Sequence, residues 1–319
     1  MTHKFINKVE PGETIDDIYM VKDPILRSTT RGDLYIAMFL CDKSGQINGR
    51  MWQASEIVYK SIPKPGFVHI QGRSELYQNN LQIIVNNISA ISAEKVNIDD
   101  FLPRTKKNIS QMFDEVTKII RQIKNPQLSA IVNSFLADEK IMDKFRNAPG
   151  GMKLHHSYIG GLLEHVHNMM HVAVAVLPMY PNLQADLVLA GIFLHDMGKT
   201  EELSYDLAFA YTNQGQLLGH IVQSVLMVNQ KVNALRVEGT NIDQETADSL
   251  EHIIVAHHGE YEFGSPKLPA MPEAFMVYFI DDLDAKINMA ESAIGEEDGD
   301  ENWTAWKNAL QTRLYRKKL

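Results

Sequence analysis

A chain of 319 residues with 45% hydrophobic residues, 22% charged residues and a formal net charge of −9 is long enough for two ordinary domains and is not basic throughout. Its one cysteine, Cys41, excludes an internal disulfide framework and any cysteine-cluster metal site. No apolar run reaches bilayer-spanning length, and the opening MTHKFINKVEPGETID lacks the apolar core of a signal peptide, so a cytoplasmic protein without a membrane segment is expected.

The first 95 residues read as β-rich. TIDDIYMVKDPILRST (14–29) supplies a first strand, and DLYIAMFLCD (33–42) and GQINGRMWQ (45–53) form two more around the turn DKSG. A short helical piece, ASEIVYKSI, precedes two further strands within 66–91 that turn at Gln78–Asn80. Five strands with a helix between the third and fourth is the pattern of an OB-fold barrel. Tyr35, Phe39 and Trp52 are candidate stacking platforms for nucleic-acid bases. However, LYIAMFL is apolar at both alternating sets of positions, which favours a core place for each aromatic taken singly.

From residue 96 the apolar period becomes helical. Phe101-Leu102-Pro103 opens a connector (96–134) in which Ile109, Met112, Phe113, Val116, Ile119 and Ile120 make one apolar face. Arg104, Lys106 and Lys107 form a basic cluster at this junction, a candidate contact for a phosphate backbone. Residues 135–319 read as helices throughout, broken at 147–151, 177–182, 238–243 and 262–272. An acidic loop (295–302) precedes a last helix ending in RLYRKKL. The fold class expected is therefore multidomain: an all-β OB-fold barrel (1–95), a helical connector (96–134) and an all-α domain (135–319).

Charge and histidine are distributed unevenly. Residues 1–125 carry 17 Lys and Arg against 14 Asp and Glu, while the remainder carries 14 against 26. Ten of the twelve histidines lie beyond residue 150, in the same acidic part. Such asymmetry fits a front module that approaches polyanions and a rear module that holds cations.

Within the rear module the histidines fall near buried helical faces. Leu250, Ile253, Ile254 and His257 stand at i, i+3, i+4 and i+7, with His258 beside them and Gly259 closing the helix. His165 follows Leu162 by three residues, and His220 lies in the first turn of GQLLGHIVQSVLMV. The apolar run LVLAGIFL ends in His195 and Asp196, and burying that carboxylate without a counter-charge would be costly. Together these groups offer nitrogen and oxygen ligands suited to Mn, Fe, Co or Zn. His167 and His171, four residues apart, read as a solvent-facing pair, because they lack the glutamate of a zinc-protease helix.

The order His165, then His195-Asp196, then an aspartate in FIDDLDAK resembles the signature of HD-domain metal-dependent phosphohydrolases. With HHSYIGGLLEHV, HDMGK and a preceding barrel, nearly the whole chain resembles the YhaM family of bacterial 3′→5′ exoribonucleases. The resemblance implies two divalent ions. The first would be held by His165, His195, Asp196 and Asp281, and the second by a bridging Asp196 with His220 and His257. Periodicity leaves Asp281 and Asp282 open, and His257 and His258 could exchange the roles of ligand and phosphate contact. Lys199, three residues after Asp196, would aim its ammonium at the same phosphate as a catalytic group, and His155 and His156 would touch substrate. The family further implies single-stranded RNA as substrate with single-stranded DNA as alternative, manganese ahead of cobalt, iron or zinc, attack by metal-activated water, and a homo-oligomer. Two other readings use the same residues: hydrolysis of small nucleotides or cyclic dinucleotides, and a nucleic-acid-binding protein with a purely structural HD domain.

Overall fold

Alternating apolar residues roll the front of the chain into a closed barrel of five strands, β1 (Thr14–Ser28), β2 (Leu34–Asp42), β3 (Gly45–Met51), β4 (Gly66–Tyr77) and β5 (Asn80–Ile91), ordered β1-β2-β3-β5-β4. Neighbours pair antiparallel except where β3 closes on β5 in parallel, with Gly49 opposite Ile83. Helix α1 (Glu56–Ser61), capped by the Ser55 side chain, lies between β3 and β4. This is the OB-fold expected from the sequence. The computed structural model describes residues 3–78, 80–152, 155–205, 209–295 and 301–317.

Period-2 geometry decides which side chains fill the barrel. Ile36, Met38 and Leu40 of β2 point inward and join Ile47, Val68, Ile70, Ile83 and Val85 in the core. Tyr35 and Phe39 therefore take the outer face, and Trp52 follows the outward register of β3. The core placement favoured for these aromatics is corrected: Phe39 and Trp52 are exposed and Tyr35 is half-buried. With the aliphatic set already filling the interior, the aromatic set has only the outside.

The chain divides into two compact units between Arg104 and Thr105. The reason lies in Phe101, which is buried with Met20, Cys41 and Phe67, its ring 4.9 Å from that of Phe67. The segment 96–104 is thus part of the barrel unit. The rest of the expected connector belongs to the helical unit, whose core takes in Met112, Val116, Ile119, Ile120, Leu128 and Ile131.

The helical unit comprises α2 (Ile109–Ile120), α3 (Pro126–Leu136), α4 (Glu139–Asn147), α5 (Gly161–Val176), α6 (Ala185–Leu194), α7 (Lys199–Glu202), α8 (Asn213–Val237), α9 (Gln244–Ala256) and α10 (Pro272–Gly295). Asn108, Asn125, Asp138, Thr212 and Asp243 cap α2, α3, α4, α8 and α9 with their side chains, each such cap contributing about 1 kcal/mol. Every residue of α6 from Leu187 to Leu194 is buried, so this helix forms the centre around which the others pack.

Two segments depart from the all-helical expectation. Leu203–Ser204 (β6) pairs with Ala210–Tyr211 (β7) between α7 and α8. The expected last helix is instead a bridged turn, with Trp303 opposite Tyr315 and Lys307 opposite Thr312. The Thr304 hydroxyl accepts the Leu314 N–H and donates to the Ala305 carbonyl, the latter a local side-chain-to-backbone bond of the kind that competes with a helix. Most of the acidic loop, residues 296–300, lies outside the described residues. Among the described residues no helix is long and apolar enough to cross a membrane.

Candidate metal centre

Asp196 lies just beyond the C-terminus of α6, almost fully buried, and the rest of the site is arranged around its two oxygens. Oδ1 faces His220 Nε2 at 3.3 Å and His257 Nε2 at 3.6 Å. Oδ2 faces His195 Nε2 at 3.4 Å, His165 Nε2 at 4.0 Å and Lys199 Nζ at 2.6 Å. His165 Nε2 also stands 3.0 Å from Asp281 Oδ1. Four helices and one turn thus bring together residues separated by more than a hundred positions in the chain.

Two glycines make this convergence possible. A Cβ on Gly198 would lie 2.1 Å from the His220 carbonyl oxygen, so only glycine lets the turn after Asp196 approach α8 this closely. Within α8, Gly219 has φ 72°, a left-handed conformation that breaks the helix just before His220 and re-aims it.

The histidines share one orientation. His195 Nδ1 donates to the Ile192 carbonyl at 2.8 Å and His257 Nδ1 to the Ile254 carbonyl at 2.7 Å. His165 Nδ1 donates to Asp284 at 2.7 Å, and His220 Nδ1 faces Glu202 at 3.3 Å. With Nδ1–H committed to acceptors, each ring points Nε2 inward, the nitrogen that a metal would take as its ligand. Nε2 of all four rings and Oδ1 of Asp196 are buried without hydrogen-bond partners. Buried polar atoms are seldom left unpaired, and four converging imidazole nitrogens beside two carboxylates fit divalent ions of intermediate softness. The groups His165–His195–Asp281, His195–Asp196–His257 and His220–His257–His258 each have ligand atoms within 4.8 Å of one another.

The electrostatics favour cations here. Burial opposes ionisation of Asp196, but Lys199, His195 and His220 hold its carboxyl well below the usual range. Asp281 is likewise lowered by His165 despite its burial. Burial disfavours a charged His165, yet Asp281 and Asp284 push its pKa up to about 9. His257 is pushed well down by burial and by its histidine neighbours, which leaves a neutral ring.

The remaining expected residues fall into distinct places. Lys199 is buried, bonded to Asp196 and donating to the Gly150 carbonyl at 2.6 Å. His258 donates Nδ1–H to the Phe263 carbonyl at 2.8 Å, with its ring 4.3 Å from that of His257. His155 lies with its ring 6.0 Å from that of His165, and burial followed by the charge of Lys199 pushes its pKa down to about 3. His156 is bonded on both sides, to Asp284 at 2.8 Å and to the Tyr158 hydroxyl at 2.9 Å. Asp282 turns away and pairs with Lys286 at 2.8 Å. Arg104 pairs with Asp99 at 3.3 Å, Lys107 with Glu164 at 3.2 Å, and Lys106 is exposed.

Sequence reasoning missed Asp284, which joins His156, His165 and Asn168. Its signal was the i, i+3 spacing from Asp281, which places both carboxylates on one face of α10. Glu202 was also missed, and nothing local ties it to His220, eighteen positions away. On the barrel, the Tyr35 and Trp52 rings lie 5.0 Å apart, and the Arg50 guanidinium lies 5.9 Å from the Trp52 ring and 5.5 Å from that of Tyr77.

The HD-domain family profile matches residues 162–286, the span from the start of α5 into α10 that holds His165, Asp196, His220, His257 and Asp281. The chain is 36% identical over 286 residues to the 3′-5′ exoribonuclease YhaM of Bacillus subtilis, covering 89% of each chain. It matches the 3′-5′ exoribonuclease YhaM of Bacillus licheniformis to the same identity and extent. Among solved structures, the second OB-fold domain of replication protein A from Methanococcus maripaludis matches at 22% identity and a TM-score of 0.24, over 28% of this chain and 96% of that one. Similarity of this strength over nine-tenths of both chains places the protein in a family: it belongs to the YhaM 3′-5′ exoribonucleases.

Proposed function

We propose that this chain is a metal-dependent exoribonuclease that degrades single-stranded RNA from its 3′ end to nucleoside monophosphates, with single-stranded DNA as an alternative substrate. The observation that carries the reading is the convergence of four unpartnered imidazole nitrogens on the two oxygens of one buried carboxylate. Membership of a family whose named relatives are 3′-5′ exoribonucleases supplies the direction and the substrate class.

In this reading His165, His195, Asp196 and Asp281 would hold one divalent ion, and Asp196 with His220 and His257 would hold a second. When bound, the pair supplies Lewis acidity toward a phosphate and lowers the pKa of water at the site. Manganese suits this mixed nitrogen and oxygen donor set, with cobalt, iron and zinc as alternatives. The protein's own groups do the rest. Asp196, whose two oxygens face different imidazoles, would serve both ions. The Ile192 and Ile254 carbonyls and Asp284 fix the rings of His195, His257 and His165 so that no reorientation is required. Lys199, held by the Gly150 carbonyl, places a positive charge beside the reacting phosphate. His258 and the neutral His155 border the same space and contact the substrate, whereas His156 positions Asp284.

On the barrel, Tyr35, Phe39 and Trp52 with Arg50 offer rings and a cation for stacking bases without sequence preference. Arg104, Lys106 and Lys107 contact the phosphate backbone. The protein works in the cytoplasm, where the buried thiol of Cys41 stays reduced, and assembles as a homo-oligomer.

A time course on end-labelled single-stranded RNA and DNA with Mn²⁺, Mg²⁺, Co²⁺ or chelator tests the reading. Release of mononucleotides, protection by a blocked 3′ end but not a blocked 5′ end, and arrest by chelator are expected. Rapid internal cutting of the 3′-blocked strand, or undiminished activity in chelator, would overturn it.

A further inference from the structure

On α5, away from the ring of histidines around Asp196, His167 and His171 stand one turn apart, and Glu115 of α2 reaches both. His167 Nε2 lies 2.6 Å from Glu115 Oε2 and His171 Nε2 lies 3.4 Å from the same oxygen. The two imidazole rings are 4.5 Å apart, and the three ligand atoms all lie within 4.8 Å of one another. We propose that Glu115, His167 and His171 form a further divalent transition-metal site, distinct from the centre at Asp196, that ties α2 to α5.

Both rings present the same nitrogen, Nε2, to one carboxylate oxygen, so three donor atoms from two helices already meet at one point. Histidines at i and i+4 are neighbours on a helix surface, so the pair is a preformed chelate that loses little side-chain entropy on binding. For a tetrahedral ion with ligand bonds near 2.0–2.1 Å, donor atoms lie about 3.3 Å apart. The His171–Glu115 separation of 3.4 Å is close to this value, and the His167–Glu115 separation of 2.6 Å would have to open by about 0.7 Å to match.

The chemistry of the set narrows the ion. Two imidazoles and one carboxylate suit Zn²⁺, Co²⁺, Ni²⁺ or Cu²⁺ and disfavour Mg²⁺ and Ca²⁺, which prefer oxygen. Three protein ligands leave a tetrahedral ion one position for water. His171 is half exposed, and Glu115 and His167 border a groove of about 240 Å³ that also includes Lys107 and Gln111, so solvent reaches the site. The Gln111 side chain donates to the other Glu115 oxygen at 2.9 Å and orients the carboxylate from outside.

Position gives the site a consequence. The same α5 carries His165, and Asn168, the residue after His167, donates to Asp284 at 2.9 Å, the carboxylate that orients His165. An ion joining α2 to α5 here stiffens the helix that presents a first-centre ligand.

Calorimetric titration of chelator-stripped full-length protein with Zn²⁺ tests this, comparing wild type with His171→Gln and with His167→Gln/His171→Gln. Both variants replace partly exposed side chains with polar ones, and circular dichroism verifies the fold. Loss of one Zn²⁺ equivalent per chain in the double variant is expected, together with a smaller Zn²⁺-induced rise in melting temperature. Glu115→Gln should weaken the same equivalent, and Co²⁺ loading should give a visible absorption band that His171→Gln diminishes. An unchanged number of equivalents and unchanged affinities in the double variant would overturn the proposal.

Discussion

The Oδ1 atom of Asp196 stands 3.3 Å from Nε2 of His220, while its Oδ2 atom is turned toward the opposite side of the site. One carboxylate therefore addresses two sets of imidazoles, with Lys199 at 2.6 Å balancing its charge. Changes at or around Asp196 should affect both sets together.

Asp196→Asn keeps the volume and removes the charge. Hydrolysis of RNA should fall by more than the ~10–100-fold typical of an outer-shell change, while RNA binding measured by fluorescence anisotropy is retained. Activity within twofold of wild type would contradict the assignment of Asp196 as a shared ligand.

Asp284→Asn tests the residue that sequence reasoning missed. Because Asp284 fixes Nδ1 of His165 and also bonds His156, its loss should weaken metal affinity by about 10–100-fold with little change in RNA affinity. Metal titration followed by calorimetry measures the first quantity, and anisotropy the second.

The outward aromatics of the barrel make a separate prediction. Trp52→Ala should weaken binding of a long single strand by about 5–150-fold, corresponding to ~1–3 kcal/mol for one stacked base. Cleavage of a dinucleotide should be unaffected. An unchanged KM for the long strand would remove Trp52 from the RNA path.

Gly198→Ala should destabilise the helical unit by about 1–3 kcal/mol, because the new Cβ has backbone atoms of His220 and Ser224 within 2.1 and 2.7 Å. Urea unfolding measures the loss, and Ala190→Gly in the neighbouring α6 serves as a comparison without overpacking.

The barrel carries a pH dependence at His3. Burial opposes its charge, but hydrogen bonds to Asp17 and Asp42 push its pKa up to about 9, above the 6.5 of an unperturbed histidine. A raised folded-state pKa gives stability that is complete below pH 6.5 and lost as pH rises through 9. Urea unfolding of the full chain at pH 6 and at pH 9.5 should reveal this loss, and His3→Gln should flatten it.

Much of the architecture was legible in local pattern. Ile36, Met38 and Leu40 alternate as a half-buried strand must, and Met112, Val116, Ile119 and Ile120 recur at helical spacing, because period 2 and period 3.6 are written into adjacent residues. The barrel aromatics misled because β2 is apolar at both sets of positions. The pattern established a strand but not which set faced inward. The final segment misled for a related reason: its threonines bond locally to the backbone, and composition alone does not distinguish that from a helix.

By itself, the sequence determined the kinds of element, the concentration of histidine and carboxylate in the rear unit, and a signature that marked His165, His195 and Asp196. Only the tertiary structure decided that Asp281 rather than Asp282 faces His165, that Asp284 and Glu202 orient two of the rings, that Phe101 extends the barrel unit to Arg104, and that Glu115 meets His167 and His171. Each of these turns on side chains from elements far apart along the chain, brought within a few ångströms by packing around α6 or within the barrel. Spacing along one element carries no record of what another element places against it.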